Sequence, residues 1–141
     1  MAYGKIVADQ IQHSSEGTVG TQYVVSGSAK AWNHYHQIGT TASKDSFNIS
    51  SITDLEVSKA THNFTNNMGN ANYAWSGGMT NSTATTPAGA ADQCGVLYLP
   101  GSHLPATSNW TIHTLYVSNN SGGGGVFDVS IVCIAIHGDL A

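Results

Sequence analysis

Two histidines one residue apart, His34 and His36 in AWNHYHQIG, are the first candidates for chemistry. On an extended strand, side chains at i and i+2 share a face, so both imidazoles point the same way. Imidazole nitrogens are good ligands for borderline metals such as zinc. One such pair is half a site, and His62, His113 and Asp45 are the available third ligands. The plainer expectation is a polar, partly exposed strand that happens to carry two histidines. No cofactor is expected.

Other reactive arrangements fail at the level of motif. No Gly-x-Ser-x-Gly elbow occurs, and SGSAKAW and GSH at 101–103 lack the strand–turn–helix setting of a serine nucleophile. Asp54 and Glu56 could share a strand face, but glycoside hydrolysis needs two acids held at a fixed separation. SGGGG at 121–125 is followed by neither Lys-Ser/Thr nor a helix, so it is not a phosphate loop. No catalytic residue is assigned, and no enzyme activity is expected. Trp32, Trp75, Trp110, Tyr73, Tyr98 and Tyr116 offer rigid rings of the kind that stack on sugars. The three tryptophans fall on period-two strands and suit a core. Tyr98 and Tyr116 remain as candidate ligand-facing aromatics.

These side chains must be positioned by strands. AKAWNHYHQIG sets Ala31, Asn33, Tyr35 and Gln37 against Trp32, His34, His36 and Ile38. LEVSKATHNFT places Ser58, Ala60, His62 and Phe64 in one phase. NWTIHTLYVSN sets Trp110, Ile112, Thr114 and Tyr116 against Thr111, His113, Leu115 and Val117. TQYVVSG, DSFNISSITD, ANYAWSG and CGVLYLPG add shorter runs. VFDVSIVCIAIHG is expected as one long strand, apolar on both faces in its second half, with Cys133 a small core residue. A disulfide between Cys133 and Cys94 is the alternative. Seven or eight strands in about 120 residues, with no helical period, predict an all-β fold, an antiparallel β-sandwich of jelly-roll-like or immunoglobulin-like type. SNNSGGGGVF predicts a hairpin connection, and GGMTNSTATTPAGAADQC a long loop.

Residues 1–21 stand apart. KIVADQIQH carries Ile6, Val7 and Ile11 but is too short to bury them. The segment is expected to be an extended N-terminal arm and linker that anchors on another subunit or protein, ahead of a sandwich domain at 22–141. An ordinary first strand with a loop is the alternative.

Composition narrows the partners. Charged residues are 9% of the chain, against roughly 25% in typical soluble domains. There are four lysines, no arginine and eight acids, for a formal net charge of −4. Such a surface cannot displace counterions from phosphate, which excludes nucleic acid, and the same charge disfavours an anionic membrane. No apolar run reaches the ~20 residues of a membrane span, and MAYGKIVADQ lacks the apolar core of a signal peptide. Synthesis in a cytosol-like compartment is expected.

Several blocks together carry a resemblance. They are GSAKAW at 27–32, Gly39-Thr40, DSFNISSITD at 45–54, ANY at 71–73, the opening MAYGKIVAD and the closing VSIVCIAIHGD. This pattern resembles a β-domain of tail-fibre-like and other minor virion proteins of bacteriophages, marine cyanobacterial phages among them. The resemblance covers residues 1 to about 77 and the last 15 or so. It implies a β-rich, commonly homotrimeric component of the virion, made in the host cytoplasm and used for attachment or surface decoration. A tail-fibre or adaptor role is the first expectation, and a capsid-decoration or head-fibre role the alternative. Partners would be further copies of the chain, other virion proteins through the arm, and possible host-surface glycans. A carbohydrate-binding module is the alternative of another class. His34 and His36 replace the Asn or other polar residues of the family strand, so any role they have is particular to this chain.

Overall fold

The computed structural model describes residues 7–79, 93–99, 101–118 and 124–140, with the backbone alone at 93–96, 116–118 and 124. An N-terminal hairpin, β1 (Gln10–His13) and β2 (Gly17–Gly20), leads into a short helix, α1 (Thr21–Gly27). Nine strands follow: β3 (Ala29–His36), β4 (Ala42–Phe47), β5 (Ile49–Glu56), β6 (Lys59–Phe64), β7 (Ala74–Met79), β8 (Gln93–Tyr98), β9 (Asn109–Ser118), β10 (Gly124–Val126) and β11 (Val132–His137). All pairings are antiparallel. The described residues are all-β with one short helix.

One sheet runs β4-β3-β11-β7. The other is built on β9, whose residues 115–117 pair with both β8 and β10, while His113 pairs with both β6 and β8. A strand has two edges, so β6 and β10 follow one another along one edge of β9 and β8 takes the other. β5 pairs with the free edge of β6. The inward alternation of β3, β6, β9 and β11 fills one shared core. It contains Ala31 and Tyr35, Ala60 and Phe64, Trp110 and Ile112, and Val132, Ile134 and Ile136. Gly77 lets β7 come close to β11: a methyl there would lie 2.7 Å from the Cys133 carbonyl oxygen.

The chain changes sheets at two places where one strand was expected to run on. Within DSFNISSITD, Asn48 adopts a left-handed φ of 57° and separates β4 from β5. Asparagine tolerates this conformation better than β-branched residues do. Its side chain then ties the corner together. The amide donates to the carbonyls of Lys30 and Asn66 at 3.0 Å each, and its oxygen accepts from the Asn66 N–H at 2.7 Å. VFDVSIVCIAIHG is likewise two strands, β10 and β11, in different sheets. The crossing residues 127–131 reset the phase, so Val129, Val132, Ile134 and Ile136 face inward and Cys133 is exposed. The expectation of a core Cys133 is thereby corrected.

A buried polar junction holds the second crossing. The Thr114 hydroxyl donates to the Phe127 carbonyl at 2.7 Å, with Gln37 Oε1 and the Ser58 carbonyl at 3.1 and 3.2 Å. Asp128 accepts from the Ser58 N–H at 2.7 Å, and Gln37 exchanges backbone and side-chain bonds with Val129. Ser58, at a φ of 71°, ends the tight turn from β5 to β6.

TQYVVSG is the helix α1, not a strand, and none of its residues is buried. Of the expected core tryptophans, Trp110 is fully buried and Trp75 is partly buried against the core. Trp32 lies on the outer face of β3, opposite Phe47 of β4. The loop expected at 77–94 lies mostly outside the described residues. The expected glycine-rich hairpin is flanked by the antiparallel pair β9–β10.

Asn48→Ala is expected to cost about 2–3 kcal/mol, from a left-handed backbone without Asn and from orphaned carbonyls. Asn48→Gly should recover only the backbone share. Urea unfolding of the three proteins measures both.

Candidate functional site

The outer face of β3 carries the histidine pair. Cross-strand partners share a face with side chains about 5 Å apart, so the register Asp45–His34–Cys133 forms a row over three strands. Gly78 continues the row on β7, and a methyl there would meet nothing within 4 Å. His36 follows His34 on the same face. Of the proposed third ligands, only Asp45 is on this face. His62 points into the core, and His113 lies on the outer face of the other sheet. Among the described residues, no three His, Cys, Asp or Glu side chains are grouped to hold a metal ion. Cys133 is a free, exposed thiol. The expected alternative, a disulfide to Cys94, is therefore not formed.

The outer face of the second sheet gathers a different set. Lys59, His113 and Tyr98 are register partners across β6, β9 and β8. Tyr98 Oη and His113 Nδ1 are hydrogen-bonded, and their rings lie 4.7 Å apart at 35°. Glu56 forms an ion pair with Lys59. The Lys59 hydrogen bond and charge hold the Glu56 carboxyl below its ordinary range. Partial burial, assisted by the Lys59 charge, pushes His113 down, with Glu56 opposing. The row is thus a hydrogen-bonded aromatic pair beside a self-compensated ion pair. Beside it, Thr61 and Thr111 hydroxyls meet at 2.7 Å, and the Asn63 amide donates to Ser51 at 3.0 Å. This face offers hydroxyls, amides and rings with little net charge.

Tyr98, expected to face a ligand, is therefore half-buried in an aromatic pair. The Tyr116 side chain lies outside the described residues. Asp54 accepts from the Thr41 hydroxyl at 3.0 Å, so Asp54 and Glu56 each have a structural partner and do not form an acid pair. Ser102 and His103 are bonded at 2.9 Å, but as exposed chain neighbours.

The third region is the N-terminal unit. Ile6 lies outside the described residues. Val7 and Ile11 are 82% and 51% exposed. Val19, Tyr23, Val24 and Val25 are exposed as well, and sequence reasoning missed the last three as part of the arm. Their β-branched and aromatic character reads as strand, although no core contact supports one. The unit is tied to the domain at the end of α1. There Lys30 donates to the Val25 carbonyl and to Ser28 Oγ at 2.7 Å, and His137 Nδ1 lies 3.1 Å from the Gly27 carbonyl. A cation suits the negative end of a helix.

Comparison with protein-family models, curated proteins and solved structures finds no match. Among the described residues, no helix is long and apolar enough to cross a membrane.

An exposed sheet-face thiol differs from a core thiol in its access to reagents. Cys133 is expected to be fully alkylated by iodoacetamide within an hour in the folded protein, as mapped by peptide mass. Labelling only after urea is added would contradict its placement.

Proposed function

We propose that this chain is a structural component of a bacteriophage particle that works by assembly. In this reading its two sheets form a β-sandwich, and residues 7–28 provide the arm that docks on a neighbour. The observation that carries the reading is the arm itself. A two-stranded hairpin is marginal alone, and a helix of seven residues is well below the length at which isolated helices persist. The unit nonetheless turns its apolar side chains to solvent. Several large apolar side chains exposed on one small unit suit an interaction site. The sequence blocks resembling tail-fibre-like virion domains give the particle and the trimer. The sparse charge gives outer faces that can lie against neighbours without desolvating many ions. A tail-fibre or adaptor position is favoured, with capsid decoration as the alternative.

A second reading, a carbohydrate-binding module, is favoured by one observation. The Tyr98–His113 pair, beside the half-buried Thr61 and Asn63, presents rings and neutral hydrogen-bonding groups.

In sedimentation equilibrium the full chain is expected to show about three times its 14.7 kDa mass. Replacing Tyr23, Val24 and Val25 together by Ser should shift it to monomer while the β-type far-ultraviolet spectrum is kept. A wild-type chain that remains monomeric at millimolar concentration, or a triple variant as associated as wild type, would count against assembly through the arm. Saturable binding of a neutral oligosaccharide by the monomer, lost in Tyr98→Ala, would favour the second reading.

A further inference from the structure

The alternation that places Ala60 and Phe64 in the core also places His62 there, and its side chain is fully buried. Its ring meets Tyr35 edge-on at 4.6 Å and lies 5.7 Å from Trp110. It therefore sits where β3 of one sheet faces β6 and β9 of the other. Neither ring nitrogen has a hydrogen-bonding partner among the described residues. Tyr35 Oη, Trp110 Nε1 and both amide atoms of Asn33 are in the same condition. A buried polar group without a partner destabilises the fold, and a buried charge without one does so far more.

The side chains facing His62 include no carboxylate to pair with an imidazolium. Its register neighbours are Ile52 on β5 and Trp110 on β9. From the opposite sheet, β3 presents Ala31, Asn33 and Tyr35, with Gln37 just after it, and β11 presents Val132, Ile134 and Ile136. Burial pushes the Tyr35 phenol far up, so it stays neutral. β7 contributes Trp75, whose ring packs on Trp110. The inward-reaching Asp128 is engaged by the Ser58 N–H, and the buried Lys30 by the end of α1.

We propose that His62 is an acid-sensitive lock between the two sheets: the neutral ring packs in the seam, and a protonated ring must leave it, separating β3 from β6. Burial lowers the His62 pKa to about 4, and the Trp110 backbone works weakly the other way without reaching hydrogen-bonding geometry. The sign follows from linkage. The unfolded chain takes up this proton near ~6.5, whereas the folded chain resists it down to about 4. Stability from this group is complete above pH 6.5, falls as pH drops towards 4, and is flat below. The full effect is roughly 300-fold in the folding equilibrium. Partial burial also pushes His113 below its ordinary value, so it needs its own control.

The test uses the full chain. Imidazole NMR is expected to show His62 uncharged until β3 and β6 lose amide protection together, between pH 5 and 4. His62→Gln, which cannot charge, should flatten the urea-midpoint profile between pH 6.5 and 4, and His113→Gln should leave most of the slope. A His62 resonance that titrates near pH 6.5 with β3 and β6 still protected would overturn the proposal, and this reading needs no variant to fold. A pH profile in His62→Gln as steep as in wild type would overturn it equally.

Discussion

Everything in this molecule depends on how one chain passes between two sheets without stranding its backbone. Peptide groups at a crossing leave their ladder and need other partners. At residues 127–131 those partners are side chains from both sheets. Thr114 of β9 donates to the Phe127 carbonyl, Gln37 after β3 takes both polar groups of Val129, and Asp128 accepts from the Ser58 N–H. The same residues fix how β6 and β10 share one edge of β9. Thr114 sits between the two pairings, where its own N–H donates to the Ser58 carbonyl at 2.9 Å. Asn48 serves the other crossing alone, with a side chain that imitates the lost ladder contacts.

This explains what was legible beforehand. Alternation is local, so the inward sets of β3, β6 and β9 could be read from Ala31, Asn33 and Tyr35, from Ala60, His62 and Phe64, and from Trp110, Ile112 and Thr114. A crossing is not local. DSFNISSITD has no Gly or Pro to mark the turn at Asn48, and the partners that permit it, Lys30 and Asn66, are 18 residues away on either side. VFDVSIVCIAIHG hides its break in the same way, because Asp128 is satisfied by a residue 70 positions distant. An unbroken apolar run kept in one phase then places Cys133 inside. The crossing shifts the phase by one and turns it out.

The helix α1 was missed for a related reason. Its β-branched residues favour a strand, and a seven-residue segment has too little helical period to announce itself. What holds it is tertiary: the Lys30 and His137 side chains at its last carbonyls. The unit is therefore fastened at one end, with its apolar side chains exposed. Fastening without burial orients a surface, and orientation lowers the entropy lost when a partner covers it. A docking arm gains from that combination, whereas a core element would gain nothing from it.

The histidines show how little residue type decides by itself. His34 and His36 lie outward on β3 without a converging set of ligands. His113, outward on β9, is paired with Tyr98. His137 approaches a helix-end carbonyl, and His62, of opposite phase to His113 across the same two strands, is sealed in the core. Four environments follow from strand phase and from which sheet the strand joined. The pair that first suggested chemistry shares a face with Asp45 and Cys133 but is not grouped with them to hold a metal ion. The interior histidine, which carries no motif, is the one whose protonation the fold cannot absorb.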